Sequence, residues 1–436
     1  MDTDLQQTAA RNTPLHKRRS PILRGARALA LTGMLLAGAA LPTVALALKA
    51  PPTKTTTTPT KSTTTTVPGA TTPTTTTTSN TKVGIRWHKP IRIERSNWGG
   101  LDSVACPSVK LCVAVDQSGQ VLWSKTPAGT RHWHLVKADL GHSLTSISCP
   151  TTTFCAAVDD SGRMIWTNTP TGGRRKWSKP ARIDTAEAPG GGPAGLTSIS
   201  CTIATSTSVA TTTTPTTTGP TPTVPPLCVA TDGAPQGSVV VSTHPTGGRK
   251  AWVAAQIGST SSLGGTLASV TCLATTFCLA AGSQHYYSTD PAGGASAWHA
   301  SGGPTAGGLL ASVACPAATM CVAVGYGNSS IGLSDVTAKP TGGLTDWITT
   351  AVTGTPPVIG AGLVDSVACP STGLCIAVDS FDHAYTTTTP QTGAWVGGAA
   401  IRKDSAAQWS SISCQKTFCM VVDSAGVGTA GIVRGA

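Results

Sequence analysis

Fourteen cysteines fall into seven evenly recurring pairs, and that recurrence restricts the chain to a repeat architecture. LDSVACPSVKLCVAVD (101–116), LTSISCPTTTFCAAVD (144–159), LASVTCLATTFCLAAG (267–282), LASVACPAATMCVAVG (310–325) and VDSVACPSTGLCIAVD (364–379) are copies of one unit. SSISCQKTFCMVVD (410–423) is a sixth copy, one residue shorter between its cysteines. The remaining copy is split into LTSISC (196–201) and LCVATD (227–232) by a Thr/Pro-rich tract. The pairs are Cys106 with Cys112, Cys149 with Cys155, Cys201 with Cys228, Cys272 with Cys278, Cys315 with Cys321, Cys369 with Cys375, and Cys414 with Cys419. Successive first cysteines lie 43, 52, 71, 43, 54 and 45 residues apart, the 71 containing the tract. A period of this length with several short strands per unit is that of a β-propeller blade.

Each unit reads as four strands. L-x-S-V-x-C alternates apolar and small residues, and L-C-V-A-V is a continuous apolar run suited to burial on both faces. The few residues between them, often opening with Pro, make a hairpin loop. A turn such as Asp116-Gln-Ser-Gly119 leads to a third strand (QVLWS, RMIWT). A loop of the form T-P-x-G-G-x-x-x-W follows, and its Trp opens the fourth strand. Six such Trp follow a cysteine pair: Trp133, Trp177, Trp252, Trp298, Trp347 and Trp395. The seventh is Trp87, 19 residues before Cys106, where the other Trp-to-Cys intervals run from 16 to 24. The predicted fold is therefore an all-β, seven-bladed propeller of four-stranded blades over residues 83–436. An N-terminal strand at 84–94 joins the last blade and closes the ring, which removes exposed sheet edges.

The two cysteines of a unit flank a hairpin loop, so local disulfides are expected. A seven-residue loop gives about 2–2.5 kcal/mol in the chain-entropy account, and the 28-residue loop closed by Cys201 and Cys228 about 3.5 kcal/mol. Structural zinc sites usually space their cysteines by about two to four residues and need two pairs together, so the spacing favours disulfides over zinc.

The N-terminus points to export. A basic segment from Lys17 to Arg27 precedes an apolar run of about 20 residues ending in Ala45-Leu46-Ala47. The run matches a cleaved signal peptide, and its length also suits an uncleaved anchor; both place the rest of the chain outside the membrane, secreted or tethered. Residues 48–82 are Thr and Pro with almost nothing apolar, a composition expected to form an extended stalk and to accept O-glycans. The tract at about 203–226 has the same composition and belongs to a surface loop. The net charge of +12 favours anionic surfaces such as wall polymers or lipid headgroups, although no dense basic run exceeds Arg174, Arg175 and Lys176.

The loop S-T-D-P-A-G-G-A-S-A-W (288–298) resembles the Asp box of BNR-type propellers, the repeat of sialidases and their non-enzymatic relatives. Asp occupies the box position only at Asp290; Thr, His or Lys stands there in the other blades. The resemblance implies fold rather than activity, because the box is a structural turn between outer strands. A sialidase needs an arginine cluster and a Tyr/Glu pair, and a glycosidase two placed carboxylates. Beyond the signal there are two Glu (Glu94, Glu187) and four Tyr (Tyr286, Tyr287, Tyr326, Tyr385). Asp116, Asp159, Asp232, Asp379 and Asp423 recur at the end of strand two, either as turn caps or as a ring of carboxylates for a cation; Gly282 and Gly325 interrupt that ring. Among the scattered histidines only His132 and His134 share a strand-like spacing. No nucleophile elbow, phosphate loop or nucleotide fingerprint is present.

No catalytic residue, metal site, cofactor or nucleic-acid partner is expected. The function expected is a monomeric, non-enzymatic binding or scaffold module for an extracellular glycan, wall polymer or protein, touching membrane only through an uncleaved N-terminus. The alternative is an exported glycan-acting hydrolase.

Overall fold

A computed structural model describes residues 83–94, 99–129, 132–186, 194–203, 227–258, 265–304, 307–327, 331–352, 363–402 and 408–434. The segments expected as signal (1–47) and stalk (48–82), the Thr/Pro tract and Glu187 lie outside these residues. The described chain forms seven antiparallel sheets. Blade 1 is Leu101–Ser108, Leu111–Asp116, Gln120–Ser124 and His134–Lys137. Blade 2 is Leu144–Thr151, Phe154–Asp159, Arg163–Thr167 and Ala181–Arg182. Blade 3 is Leu196–Thr202, Leu227–Asp232, Ser238–Ser242 and Val253–Gln256. Blade 4 is Leu267–Ala274, Phe277–Gly282, His285–Ser288 and Trp298–Gly302. Blade 5 is Leu309–Ala317, Met320–Tyr326, Gly332–Thr337 and Trp347–Ala351. Blade 6 is Val364–Ser371, Leu374–Asp379, His383–Thr387 and Val396–Ala400.

Blade 7 is assembled from both ends of this region. Trp409–Gln415, Phe418–Asp423 and Val427–Arg434 supply three strands. Gly84–Trp87 pairs with the third of these, Gly84 opposite Arg434 and Trp87 opposite Gly431. The short strand Ile91–Arg92 continues along the same partner. The first strand of each blade touches the first strand of the next, and that of blade 7 touches that of blade 1, so the ring is closed and the first strands lie innermost.

The apolar second strands sit where their composition requires. Leu111–Asp116, Phe154–Asp159 and their counterparts are buried at every residue but Tyr326, the last of the blade 5 strand, because each is covered on both sheet faces by neighbouring blades. The core is therefore divided into seven clusters, one at each junction between blades. The repeat Trp of each blade packs into the junction with the preceding blade. Trp177 lies against Val113 and Val121 of blade 1, Trp252 against Phe154 and Met164 of blade 2, and Trp298 against Val229 of blade 3. Trp347 and Trp395 repeat the arrangement on blades 4 and 5. Trp133 packs on blade 7 and Trp87 on the blade 6–7 cluster, so Trp87 does take the seventh position.

The serine of L-x-S-V is a second tie between blades. The inner strand is a sheet edge, and its outward N–H groups have no partner within the blade. Ser103 accepts the Ile147 N–H, Ser146 that of Ile199, Ser198 that of Val270 and Ser269 that of Val313, at 3.2–3.3 Å. Ser312 accepts from Val367, Ser366 from Ile412, and Ser411 from Val104, at 3.1–3.2 Å. One identical bond thus runs across all seven junctions. The blades with S-x-S-x-C add a second: Ser148, Ser200 and Ser413 accept from Cys201, Cys272 and Cys106 at 3.0 Å.

All fourteen cysteines are oxidised in the pairing their spacing predicts. Each disulfide ties the end of an inner strand to the start of the second strand of its own blade: Cys106 to Cys112 in blade 1, Cys149 to Cys155 in blade 2 and Cys201 to Cys228 in blade 3. Cys272 bonds to Cys278 in blade 4, Cys315 to Cys321 in blade 5, Cys369 to Cys375 in blade 6 and Cys414 to Cys419 in blade 7. None is left free. The second member of every pair, Cys112, Cys155, Cys228, Cys278, Cys321, Cys375 and Cys419, is fully buried, because it lies on the strand covered on both faces. In blade 3, Cys201 and Cys228 are direct cross-strand partners, so the tract between them leaves the ladder intact.

Candidate functional site

In an antiparallel blade the loops joining strands one to two and three to four emerge at one end; the two-to-three turns and the links between blades emerge at the other. The recurrent Asp residues lie at the second end and act there as turn caps. Asp116 Oδ1 accepts the N–H groups of Ser118 and Gln120, at 2.9 and 2.7 Å. Asp159, Asp232, Asp379 and Asp423 hold their own turns in the same way. The turn needs a left-handed residue before strand three. Gly119 and Gly162 supply it with φ of 77° each, and Asp382, at 66°, does so in blade 6, Asp being among the few side chains that tolerate it. The five carboxylates are thus built into the blades, each as the cap of its own turn.

Burial leaves its mark on their protonation. It pushes Asp116 and Asp232 up to about 6 against the turn N–H bonds that favour the charged form. Burial also lifts Asp139 to about 6. Asp159 goes the other way: burial opposes its charge, but bonds from the Arg163 backbone, Asp139 and the Arg163 guanidinium hold it below the usual range. Asp365, on the inner strand of blade 6, is pushed up to about 7 by burial and by the charge of Asp379.

Sequence reading missed one cluster, in which His142, Asp159 and Asp160 bring ligand atoms within 4.8 Å of one another. No spacing rule finds it, because His142 arrives from the link between blades 1 and 2. Asp159 already binds Arg163 Nε at 2.6 Å and accepts two turn N–H groups. A guanidinium at that distance disfavours a metal cation. His285 was also missed: it is fully buried, stacks on Trp347 with ring centroids 3.8 Å apart, and shares a 3.0 Å bond with Asp335 across the blade 4–5 junction. His132 and His134 are both exposed, and His134 stacks on Trp123.

The residues a hydrolase would need are dispersed. Glu94 is buried in the link from blade 7 to blade 1, and Tyr385 is buried, with its hydroxyl donating to Asp379 at 2.8 Å. Tyr286 and Tyr287 lie on the third strand of blade 4. The inner strands carry mainly Ser, Thr, Val, Ala, Ile and Leu, with acids only at Asp102 and Asp365 and no Arg, Tyr or Glu.

The hairpin end is different. The T-P-x-G-G loops open on a side-chain cap: Ser124, Thr167, Ser242, Ser288, Thr337 and Thr387 each accept the N–H two residues on. A 3-10 turn then delivers the Trp in blades 2 to 5. Exposed on these loops and on the disulfide hairpins are Lys416, Lys110, Lys125, Arg174, Arg175, Lys176, Arg249 and Lys250. All belong to blades 7, 1, 2 and 3. Among the described residues of blades 4 to 6 the only Lys and Arg are Lys339, 3.5 Å from Asp346, and Arg402, 2.7 Å from Asp423. The only exposed acids among the described residues are Asp160 and Asp290. The positive charge is therefore segregated to one arc of the ring.

Within that arc, between blades 7 and 1, lies a groove of about 420 Å³ lined by Val109, Pro127, Ala128, Phe418 and Ile432, with His88, Lys110 and Lys125 also lining it. A second recess of about 430 Å³ adjoins it, sharing His88 and Ala128 and running along Lys89, Ile91 and Arg92.

No protein-family description and no curated protein matches the chain. Solved propellers do. The structure of YCF48 from Cyanidioschyzon merolae superposes with a TM-score of 0.53 at 15% identity, covering 79% of this chain and 98% of that one. The WD40 propeller domain of Doa1 gives 0.53 at 9% identity over 80% and 97% of the two chains. A structure described as YCF48 bound to D1 peptide gives 0.52 at 12% identity over 80% and 96%. These likenesses agree with the seven-bladed fold. No helix among the described residues is long and apolar enough to cross a membrane.

Proposed function

We propose that the chain is an exported, non-enzymatic binding module that presents the hairpin end of its ring to an extracellular wall polymer, glycan or protein. The observation that carries this reading is the segregation of exposed cations to the loops of blades 7, 1, 2 and 3, on a ring whose inner strands carry no Arg, Tyr or Glu and only the acids Asp102 and Asp365. Seven disulfides fit an oxidising compartment. The peptide named in one of the related propeller structures supports a protein ligand for this fold. The position of the 288–298 turn between strands three and four is that of an Asp box, and it supports a remote tie to BNR-type propellers at the level of architecture.

The test is a pull-down of exported glycans, wall polymers and proteins with the full chain, run beside a fluorogenic glycosidase panel. Retention of one ligand class without turnover is expected. Turnover lost on Glu94→Gln or Glu187→Gln substitution would replace this reading with the hydrolase.

A further inference from the structure

We propose that the groove between blades 7 and 1 docks an extended peptide segment of a partner protein in which acidic and apolar side chains alternate. This rests on the binding-module reading and names the partner's chemistry. Three observations lead to it. First, the floor is apolar: Val109 and Ile432 are 45% and 36% exposed, beside Phe418 and Pro127. Such a surface offers few polar atoms to the hydroxyls of a sugar, while it suits Leu- or Phe-sized side chains. Second, the margin carries His88, Lys110 and Lys125, and the adjoining recess Lys89 and Arg92. Lys110 and Lys125 are in no ion pair among the described residues, and exposed carboxylates are scarce on this surface. Carboxylates from a partner complement that charge. Third, the two recesses share His88 and Ala128, so the site is elongated. An extended strand, whose side chains alternate in direction, meets an apolar floor and a basic margin at once.

The groove also spans the ring's closure. His88, Lys89 and Arg92 follow the N-terminal strand, whereas Val109, Lys110 and Lys125 belong to blade 1. A segment seated there touches both and stabilises the closed ring by mass action.

The probe is a fluorescein-labelled dodecapeptide of alternating Asp and Leu, titrated onto the full chain and followed by anisotropy and thermal melting. Alternating Asp and Ser, long-chain polyphosphate and phosphatidylglycerol vesicles serve as comparisons. The Asp/Leu peptide is expected to bind, to raise the melting temperature, and to exceed each comparison at least tenfold in affinity. K110E/K125E and Val109→Asp, all at exposed loop positions, should each weaken it at least tenfold while the unliganded melt stays unchanged. Binding led by polyphosphate, by vesicles or by the Asp/Ser peptide would overturn the proposal, as would no binding or full binding by both variants. If K110E/K125E retains a ligand found in the pull-down while the peptide fails, the groove assignment falls and the binding-module reading stands.

Discussion

Residue by residue, the structure turns small polar side chains into the joints of the ring. Ser146 and Ser366 are buried and each holds an N–H of the next inner strand. Alanine at either position orphans a buried donor, so Ser146→Ala and Ser366→Ala should each cost about 1–2 kcal/mol in urea unfolding. The two sites lie on different junctions, so their effects should add. Asp365 sets a pH dependence. Its carboxyl titrates at 3.8 when unfolded and at about 7 when folded. Between those values the unfolded chain has released a proton that the native state keeps, so stability falls as pH rises, at a slope on the order of 1 kcal/mol per pH unit, and levels off above about 7. Asp116, Asp139 and Asp232 fall off in the same direction but finish near 6. Of these four carboxyls, Asp365 is the one that still contributes between pH 6 and 7. Asp365→Asn should flatten that interval in urea titrations and be more stable than the parent at pH 7.5; an unchanged slope would refute the assignment. None of this was legible in the sequence. The L-x-S-V pattern shows a strand with small residues, but which serine meets which amide depends on the neighbouring blade.

At the scale of the strand and hairpin, much more could be read. Cysteine pairing, the third strands QVLWS and RMIWT, the Asp-led turns and the Trp loops all lie where local pattern places them, because each is decided within one blade. The turn role of the five recurrent Asp followed from the same locality. What escaped were contacts between elements distant in sequence: the His285–Asp335 pair, the approach of His142 to Asp159 and Asp160, and the groove itself, whose walls come from residues near 88, 110, 126, 417 and 432. The disulfides allow a graded test. Breaking Cys201–Cys228 by paired Ser substitution releases a 28-residue loop and should cost about 3.5 kcal/mol; breaking Cys149–Cys155 should cost about 2–2.5 kcal/mol, both measured as denaturation midpoints under non-reducing conditions. Equal losses would mean that strand packing, and not loop closure, dominates.

For the whole molecule, closure is the property on which the rest depends. Seven junction cores and seven serine bonds are equivalent, but only the blade 7 sheet is completed by a strand from the far end of the sequence. Ile85 and Trp87 anchor that strand on the blade 6–7 cluster. Ile85→Asp combined with Trp87→Asp should remove on the order of 4 kcal/mol and expose the edge of Val427–Arg434. Light scattering should then show more self-association than in the parent.

The pairing of Gly84 with Arg434 also has a consequence in time. Synthesis from the N-terminus delivers residues 84–92 well before their partner strand Val427–Arg434. For that whole interval the first strand has no partner in its own sheet, since the chain of six blades lies between the two strands. Assembly of the ring is thus clocked by arrival of the final strand, and anything that holds residues 84–92 in the meantime, a chaperone or a neighbouring chain, decides whether one molecule closes on itself or two close on each other.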